Sequence, residues 1–217
     1  MLRKTIIAGW LAMVPAMAMA CETALLLAID VSNSVDGAEY RLQADGLADA
    51  LQDSQIVETM VRDQVAVAVV QWSGVDQQAL SIPWTRITGP GLAAQVSAQA
   101  RSMERAFILS GTATGDVISA ALPLFDQVPD CKRKVIDIST DGTANAGDDV
   151  RMIRTRAERA GVTINGIGIE SMGLTITNYL RSSVITRDGF VMTARMHRDY
   201  PAAIRAKILR EITRVIS

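Results

Sequence analysis

Four mostly apolar segments without regular polar alternation constrain the fold of this chain more than any other feature of its sequence. They lie at residues 23–29, 64–71, 134–138 and 162–169. Strands that are apolar on both sides are typical of parallel sheets covered by helices on both faces. Segments with helical spacing lie between these runs, so the sequence predicts a doubly wound α/β sheet with right-handed crossovers.

Two weaker patterns complete the predicted sheet. Residues 78–87 alternate between apolar and polar and contain Pro83, which predicts an antiparallel edge strand, and residues 190–193 predict a short sixth strand. We therefore expect a mostly parallel six-stranded sheet. Helices are predicted after an Asp36 and Glu39 capping box, at 91–106, at 115–125, at 149–160, and after Asp199, where Ile204, Ile208, Ile212 and Val215 form one stripe.

The first twenty residues have the pattern of a secretory signal peptide. A basic start at Arg3 and Lys4 precedes an apolar run at 6–14, and the segment ends in Ala18-Met19-Ala20. The apolar run is too short to span a bilayer. We expect cleavage after Ala20, which leaves a single domain at 21–217. The mature chain is then exported, to the periplasm or beyond, with no membrane span.

Charge and cysteine content narrow the function further. The net charge of −1, without a long basic run, gives no electrostatic basis for binding nucleic acid. The chain has two cysteines, Cys21 and Cys131, for which three states are open. They form a disulfide in an oxidising compartment, or Cys21 is acylated as the first residue of a lipoprotein, or both are buried free thiols.

Three polar clusters lie where strands end or helices begin. The first is Asp30 with Ser32 and Ser34, the second surrounds Thr112, and the third contains Asp141. Ligands of doubly wound sheets bind beyond the carboxyl ends of the strands. Two carboxylates and three hydroxyls at that edge suit a hard divalent cation, Mg²⁺ first and Mn²⁺ or Ca²⁺ as alternatives.

The single histidine and the missing motifs argue against an enzyme. One histidine and two cysteines are too few for a zinc site of several imidazoles or four thiolates, so any metal is expected to be held by oxygen. His197 itself is expected to be a partly exposed loop residue. No GxSxG, dinucleotide or phosphate-loop fingerprint occurs in the chain. Asp30 follows its strand as the nucleophilic aspartate does in haloacid-dehalogenase-like phosphatases. Those enzymes need a second acid two residues later, and here that residue is Ser32. We therefore expect no enzymatic activity, and a hydrolase ranks third, after the two binding or structural functions described below.

The three clusters, in this order, resemble the metal-ion-dependent adhesion site of von Willebrand factor type A domains. The resemblance extends from Ala24 to Ile216, and in detail the chain resembles exported bacterial proteins of that superfamily. It implies that Ser32, Ser34 and Thr112 bind the metal directly. It also implies that Asp30 and Asp141 bind directly or through water. Thr112 fits the family position better than Thr114, and Asn33 stands where the family often has Gly.

The resemblance also bears on the cysteines and on function. It implies that the strands ending at Asp30 and Asp141 are adjacent and parallel, which brings Cys21 and Cys131 together and favours the disulfide. It implies a metal-dependent adhesion module that captures an acidic residue of a protein partner. A structural or assembly subunit without metal-gated binding is the alternative. The loops around the metal are expected to form a ligand rim that includes Asn33, Asp36, Asn145 and Asp148.

Overall fold

The computed structural model describes residues 20–108 and 110–213, which contain one six-stranded sheet. Its strands are β1 (Thr23–Asp30), β2 (Ala66–Trp72), β3 (Gln78–Arg86), β4 (Arg133–Thr140), β5 (Val162–Ile169) and β6 (Val191–Ala194). The strand order is β3-β2-β1-β4-β5-β6, and every neighbouring pair is parallel except β2 and β3. The predicted mostly parallel sheet with an antiparallel edge strand is confirmed.

Helices cover both faces of this sheet. They are α1 (Gly37–Ala50), α2 (Ser54–Arg62), α3 (Pro90–Ser102), α4 (Thr114–Ala121), α5 (Val150–Arg159), α6 (Thr175–Tyr179) and α7 (Tyr200–Ile212). Residues of α1, α2, α3 and α7 form one apolar core with the sheet, and residues of α4 and α5 form the other. Strand β1 contributes side chains to both cores, because Leu25 and Leu27 face the first and Leu26 and Ala28 face the second.

Several helix boundaries differ from the prediction. Helix α2 has no counterpart in the prediction, although Ile56, Val57, Met60 and Val61 recur at helical spacing within its nine residues. The helix predicted at 115–125 ends at Ala121 and continues as a 3-10 turn at Leu122–Gln127. Pro123 explains this break, because proline has no N–H for the α-helical hydrogen bond.

The two cysteines are joined at the amino ends of the central strands. Parallel pairing of β1 with β4 sets Thr23 beside Arg133, so Cys21 and Cys131 face each other two residues earlier. They form a disulfide in the structure, with a Cα to Cα distance of 4.4 Å. This pairing leaves no free cysteine among the described residues.

Two expectations concern parts of the chain that the structure does not describe. The predicted signal peptide lies outside the described residues except for Ala20, and so does Val215 of the predicted α7 stripe. Cleavage and export therefore stay predictions. Within the described ranges, none of the helices combines the length and the apolar character needed to cross a bilayer.

Candidate metal site

The candidate site lies at the carboxyl edge of β1 and β4. From β1 the chain proceeds to β2 and β3 on one side of the sheet, and β4 to β6 lie on the other side. Strand order therefore reverses between β1 and β4, which is where doubly wound sheets bind ligands. Asp30 is the last residue of β1, and Asp141 directly follows β4.

Four of the five predicted metal-binding residues contact one another at this edge. The Ser32 Oγ lies 3.2 Å from the Ser34 Oγ and accepts a hydrogen bond from the Thr112 Oγ1 at 3.2 Å. The Ser34 hydroxyl donates to the Asp141 Oδ1 at 2.5 Å. We call Ser32, Ser34, Thr112 and Asp141 the open cluster. Thr114, the other candidate threonine, lies buried in the first turn of α4.

Asp30, the fifth predicted residue, lies behind the open cluster and is fully buried. Its Oδ1 accepts a hydrogen bond from the backbone N–H of Ser32 at 2.8 Å, and its Oδ2 accepts one from the Thr140 hydroxyl at 2.5 Å. Burial raises the pKa of Asp30 to about 6, although these hydrogen bonds oppose the rise. Asp30 therefore joins the loop after β1 to the end of β4.

The carboxylate of Asp141 has little compensation for its charge. Burial raises the pKa of Asp141, while the Ser34 hydrogen bond and the positive charge of a protonated His197 would lower it. Among the described residues, Asp141 forms no ion pair with a lysine or arginine. A divalent cation among these oxygens would supply the missing positive charge.

Arg105 supports the loop that carries the two serines, and the sequence analysis missed it. Its guanidinium donates to the carbonyl oxygens of Val31 at 2.9 Å and Ser32 at 2.8 Å. These bonds hold the backbone of the loop at Val31 and Ser32, directly beside the hydroxyls of the open cluster. No local sequence pattern marks Arg105, because its partners lie more than 70 residues earlier in the chain.

Two of the four predicted rim residues have supporting roles. Asn145 holds Thr112 by two bonds, because its Oδ1 accepts from the Thr112 N–H at 2.9 Å and its own N–H donates to the Thr112 carbonyl at 3.0 Å. Asp36 caps α1 in the predicted capping box with Glu39, which is confirmed. Asn33 is exposed beside the open cluster.

The loop from Thr143 to Asp149 forms one wall of a cavity of about 420 Å³ that includes Asn145 and Asp148. Gly147 in this loop has a φ of +81°, and a Cβ there would lie 2.2 Å from the Asp116 Oδ1. Glu170, at the start of the loop after β5, is buried and accepts hydrogen bonds from the first turn of α6.

His197 lies beside the open cluster, a place that the sequence analysis did not assign to it. The residue expected to be partly exposed in a loop is in a 3-10 turn, where its imidazole lies between Glu39 and Asp141 with 12% of its side chain exposed. Its Nδ1 is 3.0 Å from the Glu39 Oε1, and its Nε2 is 3.8 Å from the Asp141 Oδ2. The sequence analysis expected any metal to be held by oxygen and did not anticipate a nitrogen atom beside the site.

Comparison with known proteins agrees with the resemblance. The sequence model of a family described as proteins of unknown function (DUF1194) matches residues 20–216. A search of curated proteins found no match. Solved structures of von Willebrand factor type A domains are similar to this chain in fold.

Two of these structures illustrate the similarity. Proximal thread matrix protein 1 from the mussel byssus, in a form with a zinc-occupied MIDAS motif, is 19% identical with a TM-score of 0.65, over 90% of this chain and 47% of that one. The vWF domain of the type V pili tip protein Mfa5 from Porphyromonas gingivalis is 13% identical with a TM-score of 0.60, over 92% and 99%. The chain thus spans about half of the mussel protein. Identities this low show the fold alone.

Proposed function

The chain belongs to the DUF1194 family and has a von Willebrand factor type A fold, and we propose that it is an exported, metal-dependent protein-binding module. The observation that carries this proposal is the open cluster. Three hydroxyls and the Asp141 carboxylate converge at the switch point of the sheet, and none of the described lysines or arginines neutralises that carboxylate. The proposal assigns no catalytic role to the site.

The donor set favours a hard cation. Hydroxyl and carboxylate oxygens are ligands of Mg²⁺, Mn²⁺ and Ca²⁺, and we propose Mg²⁺ as the resident ion. Ser32, Ser34, Thr112 and Asp141 would hold it, with Asp30 keeping the serine loop in position. The bound ion supplies a positive charge at the protein surface, to which an oxygen anion can bind.

We propose that the partner is a protein that presents an Asp or Glu carboxylate to this ion. The exposed side chains of Asn33, Asn145 and Asp148 surround the cluster and would contact the partner beyond the carboxylate. The fold is shared with a pilus tip protein and a byssal thread protein, which supports a role in binding between proteins outside the cytoplasm.

The test is capture of envelope proteins by the purified protein, once with Mg²⁺ and once with EDTA. Wild type and Ser102→Ala, an exposed serine at the end of α3, should retain a partner with Mg²⁺ and lose it with EDTA. Ser32→Ala should retain little in either condition. A partner held equally by all three proteins in both conditions would favour the alternative, a structural or assembly subunit without metal-gated binding.

A further inference from the structure

The cluster of Glu39, Asp141 and His197 lies beside the open cluster and is not explained by the proposed function. Glu39 is in the first turn of α1, Asp141 follows β4, and His197 lies in the 3-10 turn before α7. One side-chain donor atom from each lies within 4.8 Å of those of the other two. Three separate elements therefore bring two carboxylates and an imidazole to one place.

Glu39 determines which nitrogen of the imidazole is free. Its Oε1 is 3.0 Å from the His197 Nδ1, so a carboxylate acceptor faces that nitrogen and Nδ1 carries the proton. The other oxygen of Glu39 accepts the backbone N–H of Asp36 at 2.8 Å, which holds the carboxylate in place. In the neutral imidazole, the lone pair is then on Nε2.

The Nε2 atom is buried and has no hydrogen-bond partner among the described residues. It lies 3.8 Å from the Asp141 Oδ2, which is too far for a hydrogen bond. Metal-binding histidines commonly donate one ring N–H to a carboxylate, which orients the second nitrogen towards the metal. Glu39 and the two ring nitrogens of His197 have this arrangement, with Asp141 Oδ2 near the second nitrogen. Two donors on one tetrahedral zinc ion are about 3.4 Å apart, so a small side-chain movement would suffice.

Asp141 has one oxygen for each cluster. Its Oδ1 accepts the Ser34 hydroxyl of the open cluster, and its Oδ2 faces His197. We propose that Asp141 Oδ2 and His197 Nε2 form a second cation site, specific for zinc-like transition ions, with Glu39 as the positioning residue for the imidazole. Water or a partner group completes the coordination. This site goes beyond the proposed function and does not require the first site to be filled.

The choice of metal follows from the donor atoms. Zinc binds both histidine nitrogen and carboxylate oxygen, whereas Mg²⁺ takes oxygen ligands almost exclusively. The two sites should therefore prefer different metals. The hydroxyls of Ser32 and Ser34 favour the hard ion Mg²⁺ at the first site, and the His197 nitrogen favours the softer zinc ion at the second. An ion at the second site would also connect the loop after β4, through Asp141, to the turn before α7, through His197.

Titration of the purified protein with Zn²⁺ and with Mg²⁺ tests the proposal. His197→Gln should weaken zinc binding by more than about 10-fold, and Glu39→Gln by about 10-fold, the range found for positioning partners of metal-bound histidines. Met196→Gln, an exposed neutral neighbour, should bind zinc as wild type does. Unchanged zinc affinity and stoichiometry in His197→Gln would overturn the second site.

The variants also distinguish this proposal from the proposed function. His197→Gln should keep its Mg²⁺ affinity within about two-fold, which further shows that it folds, while Ser32→Ala should lose Mg²⁺ binding and keep the His197-dependent zinc binding. If instead Ser32→Ala leaves Mg²⁺ binding intact, the proposed Mg²⁺ site is wrong, and the proposed zinc site is unaffected by that result.

A spectroscopic measurement reads the imidazole directly. Because the chain has one histidine, its ¹⁵N ring signals need no assignment. Zinc should shift the Nε2 signal while Nδ1 stays protonated, and Mg²⁺ should leave both signals in place. Ring signals that do not respond to zinc would contradict the proposal independently of any variant.

Discussion

Two aspartates four residues apart along the chain at β4 have opposite surroundings. Asp137 is fully buried and pairs with the Lys207 Nζ at 2.5 Å, and that nitrogen also contacts the Glu211 Oε1 at 2.6 Å. We call Asp137, Lys207 and Glu211 the closed cluster. Asp141, in the open cluster, faces hydroxyls and an imidazole at the edge of the sheet.

The difference is whether the protein supplies the cation. The closed cluster contains its own ammonium group, and Asn165 donates a further hydrogen bond to Glu211 at 2.8 Å, so both carboxylates already have a positively charged partner within the protein. The open cluster has oxygen ligands and, within residues 20–108 and 110–213, no ammonium or guanidinium group paired with its carboxylate. Buried charges that are paired hold structure together, and partly buried charges that are unpaired are available for binding.

The largest expected effect comes from the disulfide, at the end of β1 and β4 opposite the open cluster. Cys21→Ser with Cys131→Ser should lower the free energy of unfolding by about 4 to 5 kcal/mol, because the bridge closes a loop with a sequence separation of 110. Urea unfolding measures this loss. Metal binding should persist in the folded variant, and a loss below about 1 kcal/mol would contradict the chain-entropy argument.

Removing the cation of the closed cluster should be nearly as costly. Lys207→Met leaves Asp137 and Glu211 buried without a positive partner and should destabilise the protein by about 3 to 5 kcal/mol. Arg205→Met, on the same helix with an exposed pair to Asp53, is the control and should cost about 0 to 1 kcal/mol in the same urea experiment. Equal losses of unfolding free energy in the two variants would contradict the claim that the buried ion pairs stabilise the fold more than the exposed pair.

Adding a cation to the open cluster should stabilise the protein by a smaller amount. Mg²⁺ at a hundred times its dissociation constant should raise the free energy of unfolding by about 2.7 kcal/mol, because it binds only the folded chain. Thermal unfolding across a Mg²⁺ series measures the gain. Asp141→Ala should unfold at one temperature throughout the series, and a gain equal to that of wild type would show that the ion binds elsewhere.

The smallest effect is the pH dependence of the closed cluster. Two carboxylates share one ammonium, and burial raises the pKa of Glu211 to about 7. Since the folded state then holds a proton that the unfolded state releases near pH 4.5, stability should fall as the pH rises from about 5 to 7. The expected fall is roughly 1 to 2 kcal/mol.

Urea unfolding at several pH values checks this slope. Glu211→Gln should reduce it, because the amide cannot lose a proton, whereas Glu58→Gln on α2 should leave it unchanged. Asp30, with its pKa raised to about 6, adds a slope of the same sign that persists in Glu211→Gln. An unaltered slope in Glu211→Gln would assign the titration to carboxyl groups other than Glu211, such as Asp30.

Most of the fold was predictable because its signals are local. The apolar run at 162–169 coincides with β5, and the alternation at 78–87 locates β3 within one residue. The signals that failed were short or interrupted. Helix α2 spans only nine residues, and Pro123 converts the end of a predicted helix into a 3-10 turn.

The sequence by itself determined the sheet, its helical covering and the residues that converge at its edge, because apolar runs specify buried strands and the chain order specifies where they end. Only the tertiary structure decided that Arg105 and Asn145 support the open cluster and that His197 faces Asp141. These contacts join residues 33 to 74 positions apart, and Glu39 and His197 meet only because α1 and α7 pack on the same face. No pattern within one segment encodes such a contact, since it depends on how separate elements dock.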